Sequence, residues 1–145
     1  MSELTYSQAR AAGREGRTKK RQLISAFLMI KLVYCITRRP DLSPAEFYRY
    51  WRDVHGPIGA AIPGVKRLVQ SPRLEVRGDA PAGDFDGMVE LWFDSIETLL
   101  QARQSKEWRR SAADEENFID HSKVAYFVTE EREVPIKGTR STTAR

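Results

Sequence analysis

His55 is the residue of this chain best suited to chemistry beyond packing. It lies one helical turn past Trp51, in a segment whose apolar residues Phe47, Trp51, Val54 and Ile58 share a helical face, and it stands at the edge of that face. Imidazole titrates where proton transfer near neutral pH requires it. The plainer role for a histidine at this place is to meet the negative end of the helix dipole. Glu90 comes second, a lone carboxylate between Met88 and Trp92 in an apolar strand. Burial of that kind raises a carboxyl pKa and can make a general base; alternatively a neighbouring Lys or Arg pairs with it. Tyr34 could donate a hydrogen bond to a developing oxyanion. With Tyr34, the residues Phe47, Trp51, Trp92 and Tyr126 suit the wall of a pocket for a flat, mostly apolar ligand with a few polar handles, although core packing accounts for each equally well. His121 follows Asp120 just before the last strand, where it is a candidate ligand contact and a turn role is the simpler explanation.

Other chemistries find no foothold. The single cysteine, Cys35, excludes an intrachain disulfide and reads as buried filler in a strand. No C-x-x-C or H-x-x-x-H spacing supplies a zinc ligand set, and no G-x-G-x-x-G or Walker-type loop supplies a phosphate cradle. The expectation is therefore a protein without metal or cofactor. The formal charge of +4 invites a nucleic-acid reading, but the excess is terminal. Residues 1–28 hold six basic against two acidic side chains, and residues 135–145 hold three basic and no acidic ones. Residues 29–134 carry fifteen basic and eighteen acidic residues, a net of −3, so nucleic-acid binding is not expected. No apolar run approaches the roughly eighteen residues of a membrane helix, and the chain reads as soluble and cytoplasmic. In such a chain Arg77-Gly78-Asp79 spells an adhesion tripeptide by chance.

The elements that must position these residues form one domain over 29–134, between a basic extension, 1–28, and a tail, 135–145, both expected to be disordered. The extension faintly imitates a signal peptide, but Lys31 interrupts its apolar stretch and no small-x-small site follows. Met29 could equally be the natural start. A strand from Met29 to Thr37 leads through Arg38-Arg39-Pro40-Asp41 into a helix with Ser43 as N-cap, Pro44 at the first position and Glu46 completing a capping box. That helix is expected to close at Gly56-Pro57. A second strand spans Val65 to about Arg77, with Ser71-Pro72 marking an edge or bulge. A glycine- and proline-rich connection then leads to a third strand, Met88–Phe93. Asp94 should cap a helix with the stripe Ile96, Leu99 and Leu100, Ser105 a shorter one to about Glu116, and the last strand runs from Lys123 to Thr129.

The order β-α-β-β-α-β is that of an α+β, ferredoxin-like fold: a four-stranded antiparallel sheet with both helices on one face. Every strand has large apolar residues in both of its alternating sets, so the face without helices should be covered by a second copy. The result would be a homodimer, with a pocket between each sheet and its own helices or at the seam.

The strand, the L-S-P-A-E-F segment, Tyr50-Trp51 and His55-Gly56-Pro57 together resemble the EthD family. F-D-G-M-V-E-L-W-F-D-S, S-K-E-W, D-E-E-N-F-I-D and V-T-E-E extend the resemblance over about residues 29–132. It implies a dimeric α+β barrel in catabolic or secondary metabolism, where such proteins accompany oxygenases. His55 matches a residue that related methylmuconolactone isomerases place in the active site. Three functions follow as expectations. The first is a cofactor-free isomerase, cyclase, dehydratase or oxygenase acting on a hydrophobic cyclic or polyketide-like carbonyl compound. In it His55 is the acid/base, Glu90 a second proton-transfer group or orienter, and Tyr34 an oxyanion donor. The second is a non-catalytic protein delivering such a compound to a partner oxygenase. The third is a haem- or flavin-using oxidoreductase.

Overall fold

The computed structural model describes residues 29–78 and 83–138. The N-terminal extension, Asp79 of the Arg-Gly-Asp tripeptide and the tail beyond residue 138 lie outside the described residues. Four strands, β1 (Ile30–Ile36), β2 (Arg67–Pro72), β3 (Gly87–Phe93) and β4 (Ala125–Glu130), form one antiparallel sheet in the order β2-β3-β1-β4. With its helices this is the ferredoxin-like α+β arrangement. β2 is an edge strand, as its proline demands, but it stops at Pro72, which has no N–H to continue a ladder, rather than reaching Arg77.

The first helix, α1 (Pro44–Tyr50), starts with the expected capping box. Ser43 Oγ accepts the Glu46 N–H at 3.2 Å, and the Glu46 carboxylate accepts the Ser43 N–H at 2.8 Å. It does not close at Gly56-Pro57. Trp51–His55 widens into a π turn, in which the Gly56 N–H reaches back to the Trp51 carbonyl, and α2 (Gly56–Ala60) follows directly. Pro57 has no N–H for the Asp53 carbonyl and would crowd it in a regular α-helix; the wider turn accommodates it. A π turn takes about one residue more than an α turn. The inward face therefore passes from the expected Val54 and Ile58 to His55 and Gly59: Val54 is 43% exposed and Gly59 is buried.

The other helices depart less. Ser95, not Asp94, caps α3 (Ile96–Arg103), accepting the Thr98 N–H at 3.1 Å, while Asp94 pairs with Lys66 at 3.2 Å. Leu99 and Ala102 are the buried positions of α3, and Ile96 and Leu100 are exposed, which corrects the expected stripe. Ser105 caps α4 (Lys106–Asp114) as expected, and a 3₁₀ turn, Glu115–Asn117, ends it.

Two apolar clusters hold the helices to the sheet. One joins Ile30, Leu32, Leu91 and Phe93 to Ile62, Leu99 and Ala102; the other joins Ile36 to Phe47, Trp51, Phe118 and Ile119. Trp51 packs so closely on β3 that a Cβ at Gly87 would lie 2.7 Å from its ring. Between the clusters lies a gap.

Candidate functional site

The gap is a cavity of about 460 Å³ between the helix-facing side of the sheet and the helices. Its floor is apolar, from Leu32, Leu68, Val89 and Leu91. One wall is a single face of α4 and the turn after it, because Trp108, Ser111, Ala112 and Glu115 recur at helical spacing. The adjoining wall is the π turn and α2, which contribute His55, Gly56 and Gly59.

The register shift of the π turn brings His55 to this cavity. Its Nδ1 lies 2.8 Å from Asp114 Oδ2 at the end of α4, each side chain being 13% exposed, and its ring packs on Phe118 at 4.7 Å. Asp114 also accepts the Tyr50 hydroxyl at 2.7 Å and the Asn117 amide at 3.1 Å. Burial alone would raise the Asp114 pKa; the hydrogen bonds from Tyr50, His55 and Asn117 outweigh it and hold the carboxyl below its ordinary value. A carboxylate on Nδ1 favours the proton there and leaves Nε2 as the acceptor. No described residue hydrogen-bonds Nε2. Such a pair can take a proton at Nε2 while Asp114 stabilises the imidazolium that results.

A second chain of contacts runs beside the first. Tyr34 lines the cavity and donates its hydroxyl to Glu115 Oε2 at 3.2 Å, and His121 Nε2 lies 3.1 Å from the same oxygen. Burial first, then the charge and hydrogen bond of Glu115, push the Tyr34 phenol far above its ordinary value, so it stays protonated. Its proton is thus engaged by Glu115 rather than offered free to an oxyanion.

The candidates read from the sequence divide by face. Tyr34, His55 and Tyr126 line the cavity. His121 stands behind Glu115 and does not line it. Phe47 and Trp51 are 0% and 1% exposed and belong to the core beneath the site. Glu90 and Trp92 are on the opposite face of the sheet, because their strand positions alternate with those of Val89 and Leu91. There Glu90 pairs with Lys31 at 2.7 Å, and Trp92 is covered by Lys31 and Arg67 at 5.2 and 4.6 Å from its ring. The Lys-paired reading of Glu90 is therefore the one observed, and its expected role as a second proton-transfer group or orienter is corrected, since it does not line the cavity that His55 lines. Sequence reasoning missed Asp114, Glu115, Tyr50, Gln70 and Arg103. The helical spacing of Trp108, Ser111, Ala112 and Glu115 was the available signal. Among the described residues no three His, Cys, Asp or Glu side chains are grouped to hold a metal ion, and no helix is long and apolar enough to cross a membrane.

The family model for the EthD domain matches residues 39–122, more than half of the chain and all of the segment from the β1–α1 turn to His121. The chain belongs to the EthD family. An EthD family protein from Bacillus halodurans has the same fold at a TM-score of 0.61 and 23% identity, over 72% of this chain and 99% of that one. A hydroxynitrile lyase from Passiflora edulis matches at 0.60 and 16% identity, over 74% and 97%. A cofactor-independent oxygenase from Streptomyces nogalater, in an Asn-to-Ala variant, matches at 0.51 and 15% identity, over 73% and 95%. Other ferredoxin-like neighbours of this EthD chain are dimeric proteins of unknown function. At these identities the likeness is one of fold. No curated protein sequence matches the chain.

Proposed function

We propose that this EthD protein is an enzyme that works by proton transfer on a hydrophobic cyclic or polyketide-like carbonyl compound, with His55 as acid/base and Asp114 holding it. The observation that carries the reading is the 2.8 Å His55–Asp114 pair on the wall of a 460 Å³ cavity, with Nε2 unpartnered among the described residues. A cavity of that size fits a compound of a few rings, and its apolar floor suits a flat one. Abstraction of a proton next to a carbonyl at Nε2 would leave an enolate, the intermediate common to isomerisation, cyclisation and dehydration. The lyase and the cofactor-independent oxygenase among the neighbours show that the fold can house catalysis; the role of His55 here rests on its geometry.

The test is a thermal-shift screen of wild type and His55→Ala against aromatic polyketide, lactone and phenolic compounds, followed by a turnover assay of those that stabilise the wild type. Turnover lost in a His55→Ala protein that melts normally supports the reading. Binding without turnover, equal in both proteins, would favour the delivery role for a partner oxygenase. A visible absorption band in the purified protein would instead favour the haem- or flavin-using alternative.

The same reading includes a homodimer. On the face opposite the cavity, Val33 and Phe127 are paired across β1 and β4, Phe127 is 55% exposed, and Cys35, Val69 and Met88 on the same face are half-buried. A second sheet packed there would cover them. A compact monomer by light scattering at micromolar concentration would sink this part of the proposal and leave the cavity untouched.

A further inference from the structure

Among the described residues the cavity holds one cation that the proton-transfer chemistry does not use. Arg103, the last residue of α3, lines it half-buried, its guanidinium 5.8 Å from the Trp108 ring centre and 6.0 Å from that of Tyr126. No described carboxylate lies within ion-pair distance of it. The acids that line or border the same space are already engaged, Asp114 by His55, Tyr50 and Asn117, and Glu115 by Tyr34 and His121. Two aromatic faces steady the guanidinium without neutralising it. A planar, permanently charged fork kept unpaired in a concave, largely apolar site is suited to gripping an anionic oxygen pair on a ligand.

We propose that Arg103 recognises a carboxylate, or an equivalent acidic oxygen group, on the cyclic substrate. The inference rests on the proposed function for its account of the other end of the ligand. Trp108 beside Arg103 and Glu115 beside Tyr34 are seven residues apart along one wall, a backbone rise of about 10 Å, so the cation and the His55–Asp114 pair meet different parts of a ligand. The substrate class is then an apolar ring system that carries an acidic group apart from the carbon that exchanges a proton with His55. Neutral ring compounds would fill the floor but leave the guanidinium unanswered.

Titration calorimetry with benzoate, 2-naphthoate and biphenyl-4-carboxylate, each against its own primary amide, tests this without a turnover assay. At least one carboxylate should bind wild type about tenfold or more tightly than its amide. Arg103→Gln should bring acid and amide within about twofold while leaving amide affinity unchanged, and Arg103→Lys should keep part of the preference. Equal binding of every acid and amide to wild type, a preference that survives Arg103→Gln, or no saturable binding of all six compounds up to millimolar concentration would overturn the proposal. His55→Ala should retain the acid preference, so failure of the proton-transfer reading and failure of this one are seen separately.

Discussion

The two faces of the sheet carry similar residues and differ in what they leave unsatisfied. On the outer face Lys31 bridges Glu90 at 2.7 Å and Glu131 at 3.4 Å, and Trp92 lies under Lys31 and Arg67. Charge meets charge, and rings are covered by cations. On the inner face His55 and Asp114 are about as close, yet one imidazole nitrogen and one guanidinium have no hydrogen-bond or ion-pair partner among the described residues and stand beside empty volume. A half-buried ionisable group is therefore a poor marker of a site on its own. An unfilled hydrogen-bonding position next to unfilled space is a better one.

The largest expected effect contrasts the faces directly. With a ligand from the screen, His55→Ala should lower turnover about 10²- to 10⁴-fold, whereas Glu90→Gln should change it by less than about twofold; the reverse pattern would move the chemistry to the outer face. Asp114→Asn should cost at least about tenfold in turnover, because the amide no longer stabilises the imidazolium.

The same variant should also change acid stability. A carboxyl held below its ordinary 3.8 in the folded state adds stability that is complete above that value and is lost as pH falls through the lower folded value. Urea denaturation of Asp114→Asn from neutral to acid pH should therefore show a shallower loss of stability below 3.8 than wild type.

A smaller effect concerns the shared support of both faces. Gly87→Ala places a methyl against the Trp51 ring and should cost about 1–3 kcal/mol in urea denaturation. Its readout should be stability first, and the site only through Trp51.

Tyr34→Phe offers the smallest and most specific contrast. A phenol whose folded pKa is raised above its ordinary 10.0 contributes stability below that pH and loses it as pH climbs towards the folded value. Wild type should thus lose stability above 10.0 more steeply than Tyr34→Phe. Equal slopes would mean that Tyr34 is neither buried nor engaged by Glu115 in solution.

The fold was legible in the sequence because its signals are local. Ser43, Pro44 and Glu46 announce a helix within four residues, and alternation in Met88–Phe93 assigns side chains to faces once the strand is placed. The site was only half legible because its partnerships are distant. Asp114 lies 59 residues from His55, and Glu115 lies 81 from Tyr34. In sequence Asp114-Glu115-Glu116 looks like a solvated helix end, and only the packing of α4 against the π turn turns its first two members inward. Glu90 misled for the complementary reason: apolar neighbours signal burial, but Lys31 becomes its partner only when β1 pairs with β3. Gly56-Pro57 reads as a stop because proline ends most helices; here the backbone widens and continues.

The π turn also has a consequence for the thermodynamics of binding. Had the helix been regular, His55 would stand at the edge of its inward face, and a ligand would have to favour a rarer backbone arrangement, its apparent affinity falling in proportion to the rarity. Pro57 removes most of that alternative, since the regular helix lacks one hydrogen bond and crowds the Asp53 carbonyl. Gln70 adds a second restraint from the edge strand, its Nε2 donating at 2.8 Å to the Trp51 carbonyl that closes the turn. On the proposed function the imidazole is aimed before any ligand arrives, and the entropy of aiming it is lost during folding rather than at each encounter.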